Sequence, residues 1–180
     1  MSSRKTKLAT FSAYIILTLG IAALAYTPST FPNLDKAAFA QETFVALNMT
    51  GANEVPPVNS TASGSAQFVN NQTFIDYEIS ASDLYNATSA HIHQGRAGSN
   101  GPIVVTLYNT TDPSPGLFGG FSGNITASSL EGSLKGHQLS ELVDLISNGQ
   151  AYVNVHTIKY KNGEIRDQIT EEAGNATGLT

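Results

Sequence analysis

An all-β domain, built as an antiparallel β-sandwich with one short helix, is predicted by three observations. From Glu42 onward, short runs rich in β-branched and aromatic residues recur between Gly, Pro and Asn, the spacing expected of a sandwich or barrel. In TFIDYEIS, Ile75, Tyr77 and Ile79 fall on one face while Phe74, Asp76, Glu78 and Ser80 fall on the other, as in a strand with one wet face. One window, LSELVDLISNG, has helical apolar spacing instead.

Residues 1–40 read as a signal peptide or an N-terminal membrane anchor plus linker. Arg4, Lys5 and Lys7 precede the uncharged apolar run Leu8 to Tyr26, followed by the turn-prone TPSTFPNLDK. Ala23-Leu24-Ala25 and Ala38-Phe39-Ala40 compete as cleavage sites. If neither is cut, the apolar run is long enough to anchor the chain in a bilayer.

Residues 41–172 form the expected sandwich domain. Strands are predicted near Thr43–Met49, Ser65–Asn70, Phe74–Ser80, Thr88–Gln94, Ile103–Tyr108, Phe121–Thr126, Ala151–Thr157 and Glu164–Ile169. In the helix, Ser140 is the expected N-cap, Glu141 and Asp144 suit the positive end, Leu142, Val143, Leu145 and Ile146 supply the apolar face, and Gly149 ends it. Residues 173–180 are a polar, flexible tail.

Composition narrows the function. From residue 41 onward five basic residues face 13 acidic ones, which excludes nucleic acid and an anionic membrane surface as partners. A membrane enters only through an N-terminal anchor. There is no Cys, hence no disulfide and no thiolate chemistry. Asn-x-Thr sequons at Asn48, Asn59, Asn71, Asn86, Asn109, Asn124 and Asn175 far exceed chance for this composition, so they are glycosylation candidates of an extracytoplasmic surface.

The chemistry-bearing residues are histidines. His91 and His93 share one face of a strand, backed by Ala90 and Ile92. In QAYVNVHT, Ala151, Val153 and Val155 form one face, and Tyr152, Asn154 and His156 form the other. If the two strands are neighbours, His91, His93 and His156 converge, and three neutral imidazoles suit Cu or Zn with one coordination position open. Shared ligation requires ring nitrogens within about 5 Å of one another. The alternative is structural: the histidines hydrogen-bond across the sheet to Asn154, Tyr152 or a carboxylate and fix its register. His137, in KGHQ, reads as surface.

Gly95, Gly98 and Gly101 punctuate QGRAGSNGP, which reads as a hairpin turn. No Lys-Ser/Thr follows, so it is not a phosphate loop. No G-x-S-x-G elbow is present, and no carboxylate pair is marked for glycosidic chemistry. Glu164 and Arg166 share a strand face. Arg166 is expected either to pair with a carboxylate of its own sheet or, with Asn154, to bind a partner.

Three segments, LNMTGANEVPPVNSTASGSAQF, ATSAHIHQGRAGSNGPIVVTLY and GQAYVNVHTIKYKNGEIRDQI, resemble in order the hallmark segments of the CHRD domain, named for chordin. The resemblance places the family's E-V-P-P on Glu54 to Pro57, A-H-I-H on Ala90 to His93, V-N-V-H-T on Val153 to Thr157 and G-E-I-R on Gly163 to Arg166. Lys161 and Asp167 depart from the family's usual Pro and Gly. The resemblance implies an extracytoplasmic immunoglobulin-like module, found alone in microbes and repeated in chordin, and carries no general activity. The histidine layout is also similar to that of copper, zinc superoxide dismutase, whose remaining ligands are missing here.

Three functions follow as expectations. The first is a secreted or membrane-anchored binding module with a Cu or Zn site at His91, His93 and His156. The second is a cell-envelope adhesion or interaction module, meeting another extracellular protein, with structural histidines. The third is a superoxide-dismutase-like metalloenzyme, disfavoured by exposed ligands without an acidic or basic auxiliary.

Overall fold

Alternating apolar runs produce nine strands among the described residues, and one amphipathic run produces a helix. The strands are β1 (Glu42–Thr50), β2 (Ser63–Asn70), β3 (Ile75–Ser82), β4 (Ala87–Gln94), β5 (Ile103–Asn109), β6 (Gly120–Ile125), β7 (Ala151–Thr157), β8 (Ile165–Gln168) and β9 (Thr170–Glu171), and the helix is α1 (Leu139–Ser147). The computed structural model describes residues 41–113 and 118–172. The export segment, the tail and Asn175 lie outside the described residues.

All strands belong to one antiparallel sheet in the order β5-β4-β7-β8-β1-β2-β3-β6, with β9 beside β1. The sheet folds over itself. β5 and β6, at the two ends of the order, approach one another through Tyr108 and Phe121, whose ring centroids are 5.2 Å apart. Tyr77 on β3 donates its hydroxyl to the Leu107 carbonyl of β5 at 2.6 Å. The result is a sandwich-like, nearly closed all-β fold around one core.

Most strands turn alternate residues into that core, as the alternation requires, whereas β5 also gives the neighbours Val104 and Val105 and β9 gives none. Ile75 and Ile79 of β3, Ala90 and Ile92 of β4, and Ala151, Val153 and Val155 of β7 meet Phe44, Phe68 and Ile165. The last predicted strand is split. β8 pairs with β7 through Gln168, Ile169 turns into the core, and β9 pairs with β1 at Phe44 and Val45. The chain changes partner where the two halves of the sandwich join.

The helix begins earlier than expected. Gln138, not Ser140, is the N-cap residue, and it makes no side-chain cap. Starting at Leu139 places Leu139, Leu142 and Ile146 together on the buried face, so burial of one more leucine outweighs the hydroxyl cap. Gly149 ends the helix in the left-handed region, at φ 65°, as expected. His137 is exposed, and its ring contacts the Glu141 carboxylate at 2.7 Å, one turn ahead.

Phe68 is fully buried at the centre of β2. Its replacement by alanine is expected to cost about 3–5 kcal/mol of unfolding free energy in urea titration. A loss below about 1 kcal/mol would contradict the packing described.

Candidate metal centre

Pairing of β4 with β7 decides where the histidines go. Ser89 lies opposite His156, His91 opposite Asn154 and His93 opposite Tyr152. Apolar side chains on the other face of both strands enter the core, so the polar side chains are forced onto one common outer face. Arg166 continues that face on β8, opposite Asn154, and Gln168 lies opposite Tyr152.

This face is not wet. His93 and His156 are 9% exposed, Glu54 is 5% and Arg166 is 2%. Loops cover it, each fastened by hydrogen bonds. The glycine-rich β4–β5 turn delivers Ser99, Asn100 and Gly101: Arg166 donates to the Asn100 side chain at 2.9 Å and to the Ser99 carbonyl at 3.0 Å. Asn100 donates to the Val55 carbonyl at 2.7 Å, tying that turn to the Glu54–Pro57 segment. Gln168 donates to the carbonyls of Gly95, Gly149 and Ala151.

The three histidines converge. One ring nitrogen from each lies within 4.8 Å of those of the other two. Their hydrogen bonds run to loop carbonyls rather than across the sheet. His93 Nδ1 donates to the Gly101 carbonyl at 2.9 Å, and His156 Nδ1 donates to the Lys161 carbonyl at 3.0 Å. Those bonds fix the tautomers and leave both Nε2 atoms as lone-pair acceptors, as in histidines that bind a metal through one nitrogen while a carbonyl holds the other. His91 Nδ1, His93 Nε2 and His156 Nε2 are all buried without a partner. Tetrahedral ligation at about 2.0 Å places nitrogens about 3.3 Å apart, so modest ring rotations would close the triangle.

Electrostatics keep the imidazoles neutral. Burial, reinforced by His156 and His93, lowers the pKa of His91 to about 4. Burial also lowers His93 and His156, against the raising effect of their carbonyl hydrogen bonds. Neutral imidazole is the form that binds a metal.

Beside the histidines stands a stack that sequence patterning did not reveal. The Tyr152 ring lies parallel to His93 at 4.9 Å, and the Arg166 guanidinium lies 3.7 Å from the Tyr152 centroid. Gly101 ties two neighbours of this stack together, since its N–H donates to Tyr152 Oη at 3.1 Å while its carbonyl holds His93. A side chain at Gly101 would run into the Gln94 carbonyl, which is why the turn needs glycine there. The carboxylate partner expected for Arg166 is not in place. The side chain spends its hydrogen bonds on the glycine-rich turn, and Glu164 instead accepts from Ser60 and Thr157 at 2.6 and 2.7 Å.

Glu54 is the functional-face residue whose place only the structure reveals. Asn154 Nδ2 donates to its Oε2 at 3.3 Å. Burial raises its pKa to about 7, against the lowering influence of Arg166 and Asn154. The contrast with the sequence expectation is direct: two of the three candidate ligands are buried, and an acid and a base stand on the same face. Of the sequon asparagines among the described residues, Asn48, Asn59, Asn109 and Asn124 are exposed, and Asn71 and Asn86 are half-buried.

A family model described as CHRD domain matches residues 45–169. Comparison with curated proteins and with solved structures gives no significant match.

Two outcomes follow. For His91 the folded pKa lies below its unfolded value of 6.5, so the stability it contributes is complete above pH 6.5 and is lost as pH falls toward 4. Glu54 has the opposite sign: its contribution is complete below its unfolded value of 4.5 and is lost as pH rises through about 7. Between pH 7 and 5 these two nearly cancel, so the lowered His93 and His156 set a shallow loss of urea resistance in metal-free protein, whereas Glu54→Gln is expected to lose it steeply. A flat profile in both proteins would contradict the buried face. Gly163 sits at φ 127°, and a Cβ there would meet both the Asn154 amide and Glu54 Oε1. Gly163→Ala is expected to destabilise by about 1–3 kcal/mol in the same assay.

Proposed function

This chain belongs to the CHRD domain family, and we propose that it is an exported binding module that holds one Cu or Zn ion through His91, His93 and His156. The observation that carries the proposal is the identity of the unpartnered atoms. Buried polar atoms normally find partners, and each one left alone costs about 1–3 kcal/mol. Here each of three histidines that can bring a ring nitrogen within 4.8 Å of the other two keeps one such nitrogen, while the other nitrogen of His93 and of His156 is fastened to a carbonyl. A metal ion satisfies all three at once.

Export is supported by the basic-then-apolar start of the chain, by the sequons, and by the usual extracellular setting of CHRD domains. Among the described residues no helix is long and apolar enough to cross a membrane. Surface exposure of the sequon asparagines also favours a second role, a glycosylated interaction module of the cell envelope that meets another extracellular protein. The two roles are compatible on one domain, since the sequons and the histidines occupy different places.

Elemental mass spectrometry of protein purified at neutral pH after saturation with Cu and Zn is expected to find about one equivalent of metal. His91→Ala and His156→Ala should each reduce that occupancy at least about tenfold. Wild-type protein holding no more Cu or Zn than these variants would sink the metal proposal and leave the interaction module.

A further inference from the structure

The three donors are all neutral, and among the described residues no carboxylate hydrogen-bonds to any of them. The charge available to balance a bound ion therefore comes from the rest of the buried face. That face carries Glu54 against Asn154 and Arg166 over Tyr152, whereas Glu164 is held by Ser60 and Thr157. One carboxyl group and one guanidinium leave no net negative charge on that face. The cation is also the group stacked toward the donors, through Tyr152 onto His93. The desolvation cost of a buried ion rises with the square of its charge, so a dication is penalised about fourfold over a monocation of equal size.

Taking the three-histidine site proposed above as its premise, we infer that the ion is copper, held as Cu(I). Nitrogen donors favour copper over zinc in the divalent series. Between the two copper states, charge decides for the lower one: Cu(I) adds one positive charge to a face with no net negative charge, whereas Cu(II) or Zn(II) adds two beside Arg166. Coordination number agrees. Zn(II) needs a fourth ligand and Cu(II) prefers a tetragonal set, whereas Cu(I), a closed-shell ion, is content with three nitrogens. Arg166 is then a positioning and selectivity residue: it holds the Gly101 turn in place and sets the field against divalent ions.

The test is competition for each ion by the purified full chain at neutral pH. Cu(I) is measured anaerobically with ascorbate against a bathocuproine chelator, and Cu(II) and Zn(II) are measured against chelators of known affinity. Cu(I) is expected to bind at least about 100-fold more tightly than Cu(II), which for a one-electron couple raises the potential by about 120 mV over aqueous copper. It is also expected to bind at least about 100-fold more tightly than Zn(II). Arg166→Gln should narrow both ratios by about tenfold while Arg166→Lys preserves them. If Arg166→Gln does not fold, the wild-type ratios alone decide. Zn(II) or Cu(II) bound as tightly as Cu(I) overturns this inference and leaves the metal site standing. Failure to bind any of the three ions overturns both.

Discussion

Everything at the candidate centre depends on the antiparallel pairing of β4 with β7. Sheet side chains alternate with a period of two, so a slip of one residue would exchange the apolar and polar faces of a strand. The core would then receive His91, His93 or His156 in place of Ile92, Val153 and Val155. Burial of these three aliphatic side chains holds the register. The hydrophobic effect, acting on the inner face, thus positions nitrogen donors on the outer one.

A second constraint is that this outer face is closed. Burying two imidazoles, a guanidinium and a carboxyl group is costly unless each is hydrogen-bonded. The glycine-rich turn and the loop before β8 supply the bonds to the imidazoles and the guanidinium, largely from backbone carbonyls, and Asn154 supplies the one to Glu54. The Gly101 peptide serves two neighbours at once, which couples the geometry of Tyr152 to that of His93. The donor nitrogens left over are tolerated in the metal-free protein because the remaining core is large and well packed. Any ion that binds only the folded chain would add its binding free energy to stability.

The fold was legible because it follows from periodicity. Most strand limits match within about two residues, and the faces of β3, β4 and β7 follow the alternation of TFIDYEIS, SAHIH and QAYVNVHT. So was the adjacency of the histidines, once two strands were seen to share one pattern. What sequence could not give was the cover. Local alternation carries no information about which loop crosses which face. The face of β4 and β7 therefore read as exposed, and Arg166 read as pairing with a carboxylate of its sheet or binding a partner. The helix start was misplaced for a related reason: the hydroxyl of Ser140 is a local signal, whereas the burial of Leu139 is decided by contacts far along the chain.

The cover also changes what kind of site this is. An exposed H-x-H pair on a strand would be a weak, hydrated chelate, with water free to complete the shell of a divalent ion. Under the loops, water is largely replaced by fixed carbonyls and by the Tyr152 ring, so the pocket cannot reorganise to neutralise additional charge. Preference among ions must then come from the charge the protein has built in, not from solvent. Because Arg166 both fastens the glycine-rich turn and contributes that charge, the residue that encloses the site is also the one that sets its field. On the proposed reading, closure and selectivity are consequences of the same side chain.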